Sequence, residues 1–243
     1  ETLRKAYNYN VDTEFTLNFF DSEHFMINLV QCRPLQIVDQ DNVNVHPEDV
    51  SAEDLILSSQ GAVIGRNLST KIDWIIYVRP EIYSRLTVQE KYEVARLIGE
   101  TTLNQKLAGK TIMLIGPGRW CTSSPELGVP VVFSDISNVQ IVCELVTMRE
   151  NLIPDVTLGT HFFNELVENN MVYIALFPNS KGNTINSDLL SEEKLNRISM
   201  ISGANEGNFV QAVRLIKTGE IKDQNKLHFY SDVLSQKAIC YLT

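Results

Sequence analysis

The chain is predicted to be an α+β protein with mixed sheets, a few helices and a β-hairpin near its start. Three observations lead there. Residues 11–34, VDTEFTLNFFDSEHFMINLVQCRP, hold two extended, alternating runs around a polar turn. Past residue 54, short runs rich in Val, Ile, Leu and Phe recur between polar segments, as strands do. Helical patterns interrupt them without regular strand–helix alternation, which argues against a doubly wound fold.

Residues 1–10, ETLRKAYNYN, read as the last turns of a helix entering the first strand, and Glu1 is not an initiator methionine. We therefore expect the chain to be cut from a longer protein. In a strand, successive side chains point to opposite faces. Val11, Thr13, Phe15, Leu17 and Phe19 then share a mostly apolar face, and Asp12, Glu14, Thr16 and Asn18 share the other. The run Phe25 to Arg33 is the second strand, and Asp21-Ser22-Glu23-His24 is a four-residue turn. That turn pairs Phe20 with Phe25, Glu14 with Gln31 and Asp12 with Arg33. It also sets Val30, Met26 and Cys32 beside Phe15, Phe19 and Thr13, so one register sorts the core and gathers the polar groups.

Residues 40–54, QDNVNVHPEDVSAED, are polar, acidic and proline-bearing, and form the best boundary. They divide the chain into 1–39 and 40–243. Strands are expected at Leu55–Ser59 and Ile72–Val78. Thr87-x-x-Glu90 is a capping box that opens a helix running to about Gln105, and Gly109 closes the helical region. Strands follow at Thr111–Ile115, Pro130–Phe133 and Val139–Val146. A helix at Thr160–Glu168 leads to a strand at Val172–Phe177. A helix near Glu192–Met200 precedes strands at Phe209–Ile216, Leu227–Tyr230 and Ala238–Leu242.

At 243 residues the chain can bury a sizeable core, and its net charge of −9 argues against a nucleic-acid partner. No apolar run approaches the roughly 20 residues of a membrane helix, and no signal peptide is visible. Cys32, Cys121, Cys143 and Cys240 are scattered, with no CxxC pair or Cys/His metal spacing. Free thiols in a reducing cytoplasm are the expectation.

The polar end of the hairpin has two readings. Asp12 and Arg33 form a cross-strand salt bridge on a wet face, or the group is a metal and phosphate site. Carboxylate and amide oxygens are hard ligands suited to Mg²⁺, and an arginine fork suits phosphate. On geometry alone the salt bridge is favoured. The residues, however, resemble a particular family. Asp12-x-Glu14-Phe15, a short hairpin, then Gln31-x-Arg33-Pro34 resembles the end of the ATP-grasp nucleotide-binding domain of phosphoenolpyruvate synthase and pyruvate phosphate dikinase. The resemblance implies that Glu14 and Gln31 hold the Mg²⁺ of ATP, that Arg33 contacts phosphate and that Asp12 supports them. Thr13 departs from the more usual aliphatic residue between the acids. VIGRN, IDWIIYVRPEIYSRL, VARLIGETTLNQKL, MLIGPGRW, SSPELGVPVVFSDISNVQIVCE and GTHFFNEL resemble the C-terminal region of large bacterial proteins of the same kind. There this region follows the ATP-grasp part, and the order agrees. Cys121 stands where the resemblance leads one to expect glycine.

The resemblance implies a parent that is an ATP-dependent phosphotransferase using ATP and Mg²⁺, with the rest of the parent chain as partner. This chain has no Gly-rich phosphate loop followed by lysine, no phosphohistidine segment and no recognisable barrel domain. It would supply one wall of the ATP site, be inert alone and bind ATP weakly or not at all. The alternative is that residues 40–243 are non-catalytic and serve partner binding, domain organisation or ligand sensing. Within them, Gly116-Pro117-Gly118-Arg119-Trp120 follows a strand and precedes Ser123 and Ser124. It reads as an anion-binding turn with Arg119 as cation, or as a tight turn with Trp120 in the core, the favoured reading. His161, on an apolar helix, and Arg66, after Gly65, are weaker candidates, for which packing and surface roles are expected.

Overall fold

A computed structural model describes residues 2–7, 11–21, 24–34, 50–146, 156–157, 161–178, 180–202, 207–222 and 226–243. Most of the expected boundary at 40–54 therefore lies outside the described residues. The chain divides into two compact units, Glu1–Val38 and Asp39–Thr243. The architecture is mixed α+β.

In the first unit, helix α1 (Thr2–Tyr7) precedes an antiparallel hairpin of β1 (Val11–Phe19) and β2 (Phe25–Pro34). Its outer register is the expected one, with Asp12 opposite Arg33 and Glu14 opposite Gln31. The inner register differs. A bulge at Glu14/Phe15 sets Phe19, not Phe20, opposite Phe25, and Phe15 opposite Leu29. The loop is correspondingly longer, closed by the Phe20 N–H donating to the His24 carbonyl at 2.9 Å. The reason is in the side chains. A uniform register would set Asn28 opposite Leu17 on the apolar face and Ile27 opposite Asn18 on the polar one. With Val30 as the extra residue, Phe15, Leu17, Phe19, Phe25, Ile27 and Leu29 all share one face, while Glu14 keeps Gln31.

The second unit contains, in chain order, β3 (Leu55–Gln60), β4 (Val63–Ile64), β5 (Leu68–Ile72), β6 (Trp74–Val78), α2 (Pro80–Tyr83) and α3 (Val88–Thr102). Next come β7 (Ile112–Pro117), β8 (Arg119–Trp120), β9 (Gly128–Val129), α4 (Phe133–Ile136), β10 (Ile141–Leu145), α5 (His161–Glu168) and β11 (Val172–Leu176). The unit ends with β12 (Thr184–Ile185), α6 (Ser187–Ser191), α7 (Ser199–Ser202), α8 (Asn208–Gln211), β13 (Val213–Lys217), β14 (Leu227–Asp232) and β15 (Lys237–Leu242).

A six-stranded sheet has the order β13-β6-β7-β10-β11-β4. Its four middle strands are parallel, and antiparallel strands flank them at both edges. A five-stranded antiparallel sheet has the order β12-β3-β15-β14-β5. Strand alternation builds two cores. Ile76, Leu114, Val142 and Tyr173 pack with Val94 and Ile98 of α3 and Leu166 of α5. Ile75, Met113, Cys143 and Ile174 pack against Leu57, Phe229 and Cys240 of the five-stranded sheet. The unit is thus three layers: helices, mixed sheet, antiparallel sheet. Among the described residues no helix is long and apolar enough to cross a membrane.

Three expected elements take a different form. Residues 130–133 are not a strand: β9 ends at Val129 and α4 starts at Phe133, where the Val132 N–H donates to Asp135 at 3.1 Å. Residues 192–200 are not one helix. A 3₁₀ turn at Glu193–Leu195 gives way to a bridge between Asn196 and Ile216, because the Asn196 side chain accepts from Ile198 N–H and from Leu215 N–H on β13. Residues 209–216 divide into the single turn α8 and β13. The capping box is as read: Thr87 N–H donates to Glu90 at 2.8 Å, and Glu90 N–H donates back to the Thr87 hydroxyl at 3.3 Å.

Helix α5 ends in a left-handed residue, Asn170, at φ 56°. Its N–H donates to Val167 carbonyl at 3.1 Å, and Met171 N–H donates to Leu166 carbonyl at 3.0 Å. That paired closure favours glycine. Asn170→Gly is expected to raise unfolding stability by about 0.5–1 kcal/mol, read by thermal melting; a lower melting temperature would contradict it.

Candidate functional site

The hairpin brings its predicted residues to one end of one face. Residues directly opposite across a strand pair share a face, so Glu14 and Gln31, and next to them Asp12 and Arg33, lie together. Glu14 and Gln31 are exposed. The side chains of Asp12 and Arg33 lie outside the described residues. One carboxylate and one amide oxygen are hard donors that fit part of an octahedral Mg²⁺ shell, leaving positions for water and phosphate. The bulge sits directly beside Gln31 and bends the strand there.

The second unit presents another candidate region, the C-terminal edge of the parallel strands, where open α/β sheets commonly bind ligands. Glycines shape it. A Cβ on Gly116 would lie 2.6 Å from the Trp120 ring, so glycine there makes room for the buried indole. Gly118 has φ 65° and Cys121 has φ 54°, both left-handed. The glycine expected at 121 therefore has a physical reason, and cysteine holds that backbone at a strain cost.

The anion-binding reading of this turn meets an obstacle. Gly118 N–H donates to Leu145 carbonyl at 2.9 Å, and Arg119 N–H donates to Leu127 carbonyl at 2.9 Å. Trp120 N–H donates to the Glu144 carboxylate at 3.1 Å. All three successive backbone donors are thus used within the protein. Trp120 is in the core, with its ring N–H donating to Cys143 carbonyl at 3.1 Å. Arg119 is half-buried in β8.

Glu144, on β10, is the residue that sequence reasoning missed. Its carboxylate is buried and accepts from Trp120 N–H, from Thr157 N–H at 3.0 Å, from the Thr157 hydroxyl, and from the Tyr173 hydroxyl at 2.6 Å. Burial pushes its pKa up, and the hydrogen bonds pull it partly back. With four donors on two oxygens it ties β8, β10, β11 and residue 157 together and acts as an anchor. A lone glutamate in the apolar run IVCEL was the available signal, since charged residues are rarely fully buried unless paired.

Arg66 follows Gly65, whose φ is 116° and where an added Cβ would collide with the Met171 carbonyl oxygen. Arg66 is half-buried. His161 opens α5, and its side chain lies outside the described residues. Among the described residues no group of three or more His, Cys, Asp or Glu could hold a metal. No family model matches the chain, and no curated protein and no solved structure matches it.

Proposed function

We propose that the hairpin is one wall of an ATP-Mg²⁺ site in a phosphotransferase of the phosphoenolpyruvate synthase and pyruvate phosphate dikinase type. Glu14 and Gln31 would hold Mg²⁺, Arg33 would contact phosphate and Asp12 would support them. The observation that carries this is the register: Glu14 faces Gln31 and Asp12 faces Arg33, despite a bulge that shifts everything beyond. A second observation supports it. Phe15, Leu17, Phe19, Phe25, Ile27 and Leu29, on the hairpin's other face, are exposed, and an isolated two-stranded hairpin is marginal in water. The rest of a nucleotide-binding domain would cover that face.

For residues 40–243 we propose a non-catalytic role within the same protein, in a cytoplasmic setting that suits its free cysteines. Glu144 is saturated with donors, and the N–H groups of residues 118–120 are occupied, which supports an ordering role for that edge.

Calorimetry with ATP and Mg²⁺ tests the hairpin. Triphosphate binding needs a backbone cradle, cations and metal ligands converging, and the hairpin has only the last and one arginine. We expect this chain to show no phosphotransfer, and no ATP-Mg²⁺ affinity that depends on the hairpin. In the full-length parent, Glu14→Ala or Arg33→Ala should cut phosphotransfer by about 100-fold. Micromolar affinity of this chain, lost in those two variants, would show a complete site instead. Unchanged activity of the parent variants would sink the assignment.

A further inference from the structure

A cavity of about 540 Å³ lies at the N-terminal end of the parallel strands, opposite the edge that holds Glu144. It opens between the start of β6, the approach to β7, the end of β13 and the adjoining ends of β5 and β14. Lys71, Lys106, Lys110, Lys217 and Lys226 all line it. The whole chain carries a net charge of −9, so this concentration of one sign runs against its average.

Two of these lysines are partly engaged. Lys106 donates to the Met200 carbonyl at 2.8 Å, and Lys217 lies 3.5 Å from Glu220. Lys71, Lys110 and Lys226 have no ion-pair partner among the described residues. Asp73, the carboxylate in the lining, accepts the Thr111 N–H at 3.0 Å. The floor is apolar, with Ile72, Trp74 and Leu227. The positive field reaches a neighbour: burial, then Lys71 and Lys226, push the His228 imidazole down.

We propose that this cavity binds a small molecule carrying two or more phosphate groups. Like charges gathered this closely repel one another, and a multivalent anion turns that repulsion into attraction at several points. Each pair contributes only about 0.5 kcal/mol at 8 Å in water, so the gain needs several charges on both sides. A single phosphate would leave most of the cavity unfilled; ligand cavities run from about 300 to 1,000 Å³. The site lies in the second unit and is independent of the hairpin reading.

Trp74 and Trp120 are the two tryptophans, and Trp74 lines the cavity, so intrinsic fluorescence reports occupancy. The probe is tripolyphosphate without metal, titrated into the whole chain. At low salt we expect saturation with Kd of about 0.1–1 mM, weakening about tenfold by 0.3 M salt. The triple variant Lys71→Ala, Lys110→Ala, Lys226→Ala should weaken binding at least tenfold; these side chains are exposed, so the fold is spared. Glu14→Ala and Arg33→Ala should leave it unchanged, which separates this site from the hairpin. The proposal fails on any of three results: no saturation by about 10 mM, no effect of the triple variant, or orthophosphate binding as tightly as tripolyphosphate. An oligonucleotide bound more tightly through the same lysines would replace the small ligand with a nucleic acid.

Discussion

Glu144→Ala is expected to lower unfolding stability by about 3–5 kcal/mol, a large share of the roughly 5–15 kcal/mol typical of a domain. The carboxylate is almost wholly buried and receives two backbone N–H groups, from Trp120 and Thr157, besides the Thr157 and Tyr173 hydroxyls. The hydroxyls can turn toward other acceptors. The two N–H groups cannot, and each buried donor without a partner costs about 1–3 kcal/mol. The loss should spread to Trp120, whose position depends on this tie. Denaturant unfolding followed by tryptophan fluorescence measures it, and a change under about 1 kcal/mol would show that Glu144 is not an anchor.

The same residue gives a pH signature. Burial raises its folded pKa above the unfolded value. The native state then binds more protons between the two values, so stability falls as pH rises through that window. The contribution is full below the ordinary glutamate range and is lost as pH climbs through the raised pKa. Glu144→Gln keeps the size and removes the titration. The stability advantage of wild type over Glu144→Gln should therefore shrink from acid toward neutral pH. An advantage that grows over that range would mean that the hydrogen bonds outweigh burial.

What could be read in advance follows from how local each feature is. The outer hairpin register was legible because Glu14–Gln31 and Asp12–Arg33 satisfy one parity rule. The bulge was not, although its cause was visible: no uniform register keeps Asn28 and Ile27 on suitable faces and also keeps Gln31 opposite Glu14. Most of the longer strands of the second unit were legible as apolar runs, but β5 (LSTKI), the two-residue strands and the parallel order were not. The connection from β7 to β10 carries the one-turn helix α4, too short to mark a crossover in sequence. Glu144 was overlooked because an apolar strand reads the same with or without one charge. The lysine cavity was beyond reach, since Lys71, Lys110 and Lys226 meet only through the pairing of β5 with β14 and of β6 with β7.

Gly128→Ala is expected to cost about 3 kcal/mol or more, through backbone collision rather than lost contacts. Gly128 pairs with Arg119 in the small parallel ladder of β8 and β9. A Cβ there would lie 1.9 Å from the Arg119 carbonyl oxygen and 2.4 Å from its nitrogen. No rotamer relieves a clash with main chain, so β9 must withdraw. Withdrawal strains the Tyr83 hydroxyl, which donates to the Gly128 carbonyl at 2.7 Å from a buried position beside Lys91. It also uncovers Trp120 and Val129, both buried in the helix-side core. Gly219→Ala is the matched control: its Cβ would meet nothing within 4 Å, and its backbone is not left-handed. It should leave stability within about 0.5 kcal/mol of wild type. Equal melting temperatures for the two variants would show that β8 and β9 are not held in the register described.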